Sequence, residues 1–303
     1  MYYGFDIGGT KVAFAVFDDD FNERERETYA TPGEDYPAFV AQIGRRVAAA
    51  DSRWHCRGRV GLGFPGVLRP DDSQVLAPNV PVIHGRALLA DLQQRLARPI
   101  FAGNDANCFL LSEYHQGAAA DIDLGLALTL GTGVGGALIH QGRLLAGRHG
   151  GCGEFGHGGI NATLLRRYPE LPLFACGCGR QGCLETYVSG TGLSRLYLHC
   201  SGRSLPGQEI IRVWQQQQPE AARCLDMYLD ILAAGIGDLV TQLDPGRVVL
   251  GGGLSEYDWL YRQLAERLPG YLMNGVRPPA IVAPRFGGAG GVRGAALLAK
   301  YAA

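Results

Sequence analysis

Apolar positions along the chain follow two different periods. In Tyr2-Tyr3-Gly4-Phe5-Asp6-Ile7 and in Val12-Ala13-Phe14-Ala15-Val16-Phe17 they form short β-branched and aromatic runs on either side of Gly8-Gly9-Thr10-Lys11. That pattern predicts a strand, a tight glycine turn and a second strand. The same design recurs at mid-chain, where Leu126-Ala127-Leu128-Thr129-Leu130 and Ala137-Leu138-Ile139 flank Gly131-Thr132-Gly133-Val134-Gly135-Gly136. The repetition predicts an internal duplication of a β-hairpin whose turn exposes backbone N–H groups.

Between the hairpins the period lengthens. Phe39, Ile43, Val47 and Ala50 recur at helical spacing, as do Leu88, Leu92 and Leu96 before Pro99. Leu225, Leu229, Leu232, Ile236, Leu239 and Leu243 make a longer helical stripe that stops at Asp244-Pro245. A strand, Arg247-Val248-Val249-Leu250, then runs into Gly251-Gly252-Gly253. A last cluster, Gly287-Gly288-Ala289-Gly290-Gly291, precedes a short Ala/Leu helix. Strands alternating with helices predict an α/β protein. The expected boundary lies near residues 117–122, giving a small N-terminal domain over 1–118, completed by a helix over about 291–303, and a large domain over 119–290.

Composition narrows the class. The 303 residues predict about two domains. A net charge of −1, from 28 Lys+Arg against 29 Asp+Glu, offers no general attraction for nucleic acid or anionic membrane. No apolar run is long enough for a membrane span, and no basic-then-apolar leader opens the chain, so a cytoplasmic location is expected. In that reducing setting the 8 cysteines are expected as buried thiols or metal ligands. Glycine is the outlier, with 45 residues, about twice its usual frequency. The excess is clustered beside apolar runs.

A glycine turn between strands lets backbone amides approach a phosphate with no Cβ in the way, although a plain hairpin turn reads the same way singly. Two nucleotide motifs are excluded. Thr10-Lys11 inverts the order a P-loop requires, and a strand follows it. Gly131, Gly133 and Gly136 satisfy G-x-G-x-x-G, but a strand follows there too, where a dinucleotide fold needs a helix. Lys11 reads equally as a phosphate partner or a solvated strand residue.

Three segments carry further chemistry. Gly103-Asn104-Asp105-Ala106-Asn107 puts a carboxylate at a helix start, where amides should keep it ionised as a general base requires; a simple N-cap is the alternative. Glu154, in Gly153-Glu154-Phe155-Gly156-His157, and Glu185, in Cys183-Leu184-Glu185, are carboxylates that could each accept two hydrogen bonds, or are merely solvated. Cys176, Cys178 and Cys183 with His157 would make a closed tetrahedral zinc site, free buried thiols being the alternative. Cys56, Cys108, Cys152, Cys200 and Cys224 are scattered along the chain.

The pairing of Asp-x-Gly-Gly-Thr-Lys with Leu-Gly-Thr-Gly-Val-Gly-Gly resembles the two phosphate loops of the sugar-kinase and actin-like ATPase (ribonuclease H-like) fold. Asn-Asp-Ala-Asn, Glu-Phe-Gly-His, the cysteine cluster and Gly-Gly-Val-Arg-Gly-Ala-Ala make the whole chain similar to the ROK sugar kinases. The resemblance implies two duplicated α/β domains with ATP and sugar in a cleft between them. It implies that Asp6 organises Mg²⁺ through water and that Gly8, Gly9, Thr10, Lys11, Thr132, Gly133, Val134, Gly135 and Gly136 hold phosphates, with Gly252 and Gly253 against the adenosine. It further implies Asp105 as general base and Gly66, Asn79, Asn104, Glu154, His157 and Glu185 around the sugar. Zn²⁺ on His157, Cys176, Cys178 and Cys183 would be structural.

Asn79-Val80-Pro81, the segment His84–Leu92 and the long insert before Cys176 look most like family members acting on N-acetyl-D-glucosamine. A glucokinase or an N-acetylmannosamine kinase would share every residue named. Family repressors place a helix-turn-helix before the first phosphate loop, so a regulator is not expected here. A homodimer is common among such relatives.

Overall fold

Asp6 is the penultimate residue of strand β1 (Tyr2–Ile7), which turns through Gly8–Thr10 into the antiparallel β2 (Lys11–Phe17). This is the expected hairpin in the computed structural model, which describes residues 1–69 and 71–301. Beyond it come β3 (Glu23–Ala30), α1 (Tyr36–Trp54), β4 (Arg59–Phe64), the two-residue strands β5 (Val67–Leu68) and β6 (Val75–Leu76), α2 (Leu88–Leu96), β7 (Ile100–Asn104) and α3 (Asp105–Tyr114). The sheet runs β3-β2-β1-β4-β7, antiparallel on the hairpin side and parallel from β1 through β4 to β7. The α1 stripe Phe39, Ile43, Val47 and Ala50 is buried, in one core with Tyr3, Phe5, Leu62 and Phe64.

The second half repeats this plan. Its elements are β8 (Leu124–Leu130), β9 (Val134–His140), β10 (Arg143–Leu144), α4 (Ala162–Arg167), the four-residue α5 (Glu185–Val188), α6 (Gly190–Ser201), α7 (Gly207–Gln215), α8 (Pro219–Leu243), β11 (Arg247–Gly251), α9 (Asp258–Arg267) and β12 (Ala280–Val282). Its sheet, β10-β9-β8-β11-β12, again joins a hairpin to parallel strands. Helix α8, with Leu225, Leu229, Leu232 and Ile236 buried, forms the middle of the second core. The last helix, α10 (Gly290–Tyr301), returns to the first half.

The chain divides into two compact units. The first contains Met1–Gly117, Leu144–Cys152 and the chain from Gly288; the second contains Ala118–Arg143 and Gly153–Gly287. Residues 302–303 of the expected completing helix lie outside the described residues. The second glycine turn is shorter than expected: it spans Gly131–Gly133, and Val134, Gly135 and Gly136 belong to β9, facing Leu130, Thr129 and Leu128. Glycine at 136 answers packing, since a Cβ there would stand 2.4 Å from the Gly153 carbonyl oxygen.

Within the first unit α10 touches the sheet through glycines. A Cβ on Gly4 would lie 2.0 Å from Val292 O, one on Gly61 1.8 Å from Ala295 O, and one on Gly294 1.7 Å from Cys108 O. These neighbours are backbone, so they cannot rotate away. We expect Gly61→Ala and Gly294→Ala each to destabilise the protein by about 1–3 kcal/mol or more in urea melts, by overpacking. Gly288→Ala, where a Cβ meets open space, should leave the midpoint unchanged.

Candidate active site

The first unit gathers its functional candidates at the ends of β1, β4 and β7. The Gly8–Thr10 turn is pinned from below, with Gly8 N–H donating to Lys11 O at 2.9 Å and the Thr31 hydroxyl donating to Gly8 O at 2.7 Å. Gly9, Thr10 and Lys11 are exposed. Gly9 has no room for a side chain, because a Cβ would lie 2.4 Å from Asn79 O. Asn79 therefore bears on the turn through its main chain. Gly66, at φ +150°, has Leu76 O 2.2 Å from where its Cβ would be. Here the close approach of backbone demands glycine.

At the β7–α3 junction the cap is Asn104. Its Oδ1 accepts from Ala106 N–H at 2.8 Å and its Nδ2 donates to Gly66 O at 3.1 Å. Asp105 is the first helical residue, and its Oδ1 also accepts from Ala106 N–H, at 2.8 Å. The amides were expected to hold Asp105 ionised. They do pull its pKa down, but burial outweighs them and the carboxyl sits above its ordinary value. Asp6 is pushed up to about 6, first by burial and then by the negative charge of Asp105, against the opposing pull of Lys11 and Arg26. Sequence reasoning gave no role to Gly291 in α10, yet a Cβ there would stand 2.4 Å from Asp6 Oδ2. Its signal was the unassigned cluster 287–291.

The second unit carries the other set. A cavity of about 440 Å³ is lined by Gly131 and Thr132 of the turn, Gly190, Thr191 and Ser194 of α6, Gln208 of α7, and Gly253, Leu254 and Tyr257. Its size suits a small organic ligand. The start of α6 is fastened to the turn: Gly190 N–H donates to Gly131 O at 2.7 Å and the Thr191 hydroxyl to Thr132 O at 2.5 Å. Ser189 caps the helix through Gly192 N–H. A helix N-terminus beside a glycine turn favours an anion. Gly252, at φ +79°, precedes Gly253 on the cavity wall. The α6 and α7 contributors escaped sequence reasoning, although Ser189-Gly190-Thr191-Gly192 carries a helix-start signature.

Glu154, His157 and Glu185 meet in the same unit. His157 Nε2 lies 3.6 Å from Glu154 Oε2, and His157 Nδ1 lies 3.7 Å from Glu185 Oε1. Glu185 Oε2 accepts from Val134 N–H at 3.4 Å, so that amide is already engaged by the protein. Cys176, Cys178, Cys183 and His157 offer ligand atoms that all lie within 4.8 Å of one another, enough to hold a metal ion. The Arg180 backbone N–H pulls the Cys178 thiol down to about 6, toward the thiolate a metal needs. Of the cysteines scattered in sequence, Cys224 of α8 is buried and its thiol donates to Leu193 O at 3.9 Å.

Burial of Asp6 has a readable cost. Between pH 3.8 and about 6 the folded state holds its proton more tightly than the unfolded chain, so stability falls as pH rises through that window. Asp6→Asn should therefore be more stable than the parent by about 1–3 kcal/mol at pH 8, and the gain should vanish near pH 3.5. Urea melts at the two pH values check this; equal stability at pH 8 would count against it.

The ROK family model matches residues 2–302. An N-acetyl-D-glucosamine kinase of Escherichia coli O157:H7 is 44% identical over 299 residues, 98% of this chain and 99% of that protein. The ROK hexokinase from Thermus thermophilus matches with TM-score 0.88 at 33% identity, over 99% of this chain and 97% of its own. A ROK family glucokinase from Streptomyces griseus, solved in complex with glucose and AMPPNP, matches with TM-score 0.76 at 31% identity, over 99% of both chains. The α/β fold is accordingly that of the ROK sugar kinases, with the actin-like ATPase architecture. With both hairpins, the Asn104–Asn107 segment and the cysteine cluster in place across a match of this extent, the chain belongs to the ROK family.

Proposed function

We propose that this protein transfers the γ-phosphoryl group of ATP to the 6-hydroxyl of N-acetyl-D-glucosamine, giving the 6-phosphate and ADP. The observation that carries the reading is 44% identity, over 98% of the chain, to a kinase named for that sugar. In this scheme the sugar O6 attacks the γ-phosphorus as its proton passes to the Asp105 carboxylate, and the bond to the ADP oxygen breaks. Burial raises the Asp105 carboxyl, and a carboxylate with a raised pKa is a stronger base toward the sugar hydroxyl.

Asp6 would hold Mg²⁺ through water, an ion that supplies charge neutralisation at the phosphates. Gly8, Gly9, Thr10, Thr132, Gly133 and the amides that follow would bind phosphate oxygens, and Lys11 would add charge. The cavity beside Gly252 and Gly253 would take the adenosine. Gly66, Asn79, Asn104, Glu154, His157 and Glu185 would bind the sugar. Because Glu185 already accepts the Val134 N–H, that amide, at the start of β9, is the weakest of the phosphate candidates.

The cysteine cluster fits zinc by its donor set. In a tetrahedral site with Zn–S of about 2.3 Å, ligand atoms stand about 3.7 Å apart. Here Cys178 and Cys183 Sγ are 3.6 Å apart, and Cys176 Sγ is 3.5 Å from His157 Nδ1. Zinc would tie together the loop that carries Glu154 and Glu185, with His157 Nδ1 as ligand and Nε2 turned to Glu154.

Coupled ADP-release assays should give a higher kcat/KM for N-acetylglucosamine than for glucose or N-acetylmannosamine; equal or better use of glucose would refute the substrate. Asp105→Asn should lower kcat by at least about 1,000-fold with sugar affinity largely kept, and a loss within about tenfold would remove Asp105 from the base role. Protein purified without chelator should contain about one zinc per chain, and Cys178→Ser should lower both the zinc content and Tm. Elemental analysis that finds none would end the zinc assignment.

A further inference from the structure

The half-buried Asp6 carboxylate is not held by hydrogen bonds. Among the described residues no donor and no ion pair reaches it; Lys11 and Arg26 act on it as charges without bonding to it. What touches it is α10. A Cβ on Gly291 would stand 2.4 Å from Asp6 Oδ2, 2.9 Å from its Cγ and 3.3 Å from Oδ1, and these are the three nearest atoms. The glycines elsewhere along this contact differ, because on Gly4, Gly61 and Gly294 the nearest atoms are all main chain. There a methyl group forces helix or sheet to move; at 291 it forces one side chain to turn. Gly291 has helical backbone without a positive φ, so the main chain does not call for glycine, and alanine is the better helix former.

We infer that Gly291 is a positioning residue: its bare Cα is the seat that sets the direction of the Asp6 carboxylate, so the last helix governs how well the site takes a cation. The inference rests on the reading of Asp6 as the carboxylate that holds Mg²⁺ through water, and extends it. A carboxylate with no donor of its own has its lone pairs open to the water shell of an ion, which fits that reading. The same lack of donors leaves its angle unfixed. Contact with Gly291 on one side and repulsion by Asp105 supply the restraint. A methyl group at 291 takes the place of Oδ2, while the glycine-turn amides and Asp105 itself do not meet it among its nearest atoms.

The test uses Gly291→Ala, Asp6→Ala and the double variant, with Gly288→Ala as the control whose Cβ meets open space. Gly291→Ala should raise the free Mg²⁺ needed for half-maximal rate at least about tenfold, with the sugar KM within about threefold of the parent. Gly288→Ala should match the parent in both. Calorimetric titration with Mg·ATP reads the same effect without turnover: affinity should fall at least about tenfold in Gly291→Ala, and no further in the double variant than in Asp6→Ala. Stability reads the seat separately. Gly291→Ala should lower the urea midpoint in the parent but not in Asp6→Ala, where the clash is gone. Weakened Mg·ATP binding in Asp6→Ala beside an unaffected Gly291→Ala, or a midpoint lowered equally in both backgrounds, would overturn the seat. If Gly291→Ala does not fold, recovery on adding Asp6→Ala supports the seat and continued failure overturns it. Asp6→Ala that keeps the parent's Mg·ATP affinity overturns the cation reading alone, and the urea cycle then still decides the contact.

Discussion

The close contact of α10 with β1, β4 and α3 is the constraint on which the first unit depends. Three positions that meet the helix or lie on it, Gly4, Gly61 and Gly294, have backbone within 2.0 Å of where a Cβ would sit. The last helix of the chain thus seals a sheet built from its first strands, and contributes Leu297 and Ala295 to a surface the N-terminal half cannot cover itself. That approach also sets the distance from Gly291 to Asp6. Any residue larger than glycine at 291 would strike the carboxylate. Fold and site share a single glycine-lined contact.

Closeness has an electrostatic consequence. Asp6 near the end of β1 and Asp105 at the start of α3, just after β7, stand on either side of β4, which pairs with both strands. Removal from water raises both carboxyls, and the charge of Asp105 raises Asp6 further. A protein selected for stability alone would not bury two like charges there. The arrangement makes sense when a cation and a hydroxyl proton are to be received, because each relieves part of the repulsion. Lys11 and Arg26 offset it only partly.

Hairpins, helical stripes and the cysteine cluster were legible because each is a local pattern: period two, period 3.6, or ligands close in sequence. The amphipathic runs of α1, α2 and α8 end where Trp54, Leu96 and Leu243 end them. What was not legible is non-local. Val134–Gly136 looked like turn because glycine favours turns, but strand pairing with β8 and contact with Gly153 and Phe155 claimed those residues. Residues 144–152 belong with the first unit although the sequence places them amid the second. Asn104, not Asp105, caps α3, a difference of one residue that only the φ and ψ values resolve. Helix α6 reaches the cavity beside the second glycine turn through a bond from Gly190 to Gly131, and no spacing rule encodes it.

In the second unit one carboxylate links three separate pieces. Glu185 stands at the first turn of α5, two residues after Cys183, with Oε2 toward the Val134 amide and Oε1 near both Cys176 Sγ and His157 Nδ1. The glycine turn, the His157 loop and the cysteine cluster therefore cannot move independently. A shift in the cluster would rotate Glu185, and Glu185 holds the strand that continues the turn. Cys176 Sγ meets one oxygen of Glu185 and the Val134 amide the other, so whatever orders the cysteines also sets the position of the carboxylate and of the first residue of β9. The short helix α5 is too brief to be rigid alone. Its geometry is fixed by these contacts and by burial of its own Tyr187 and Val188.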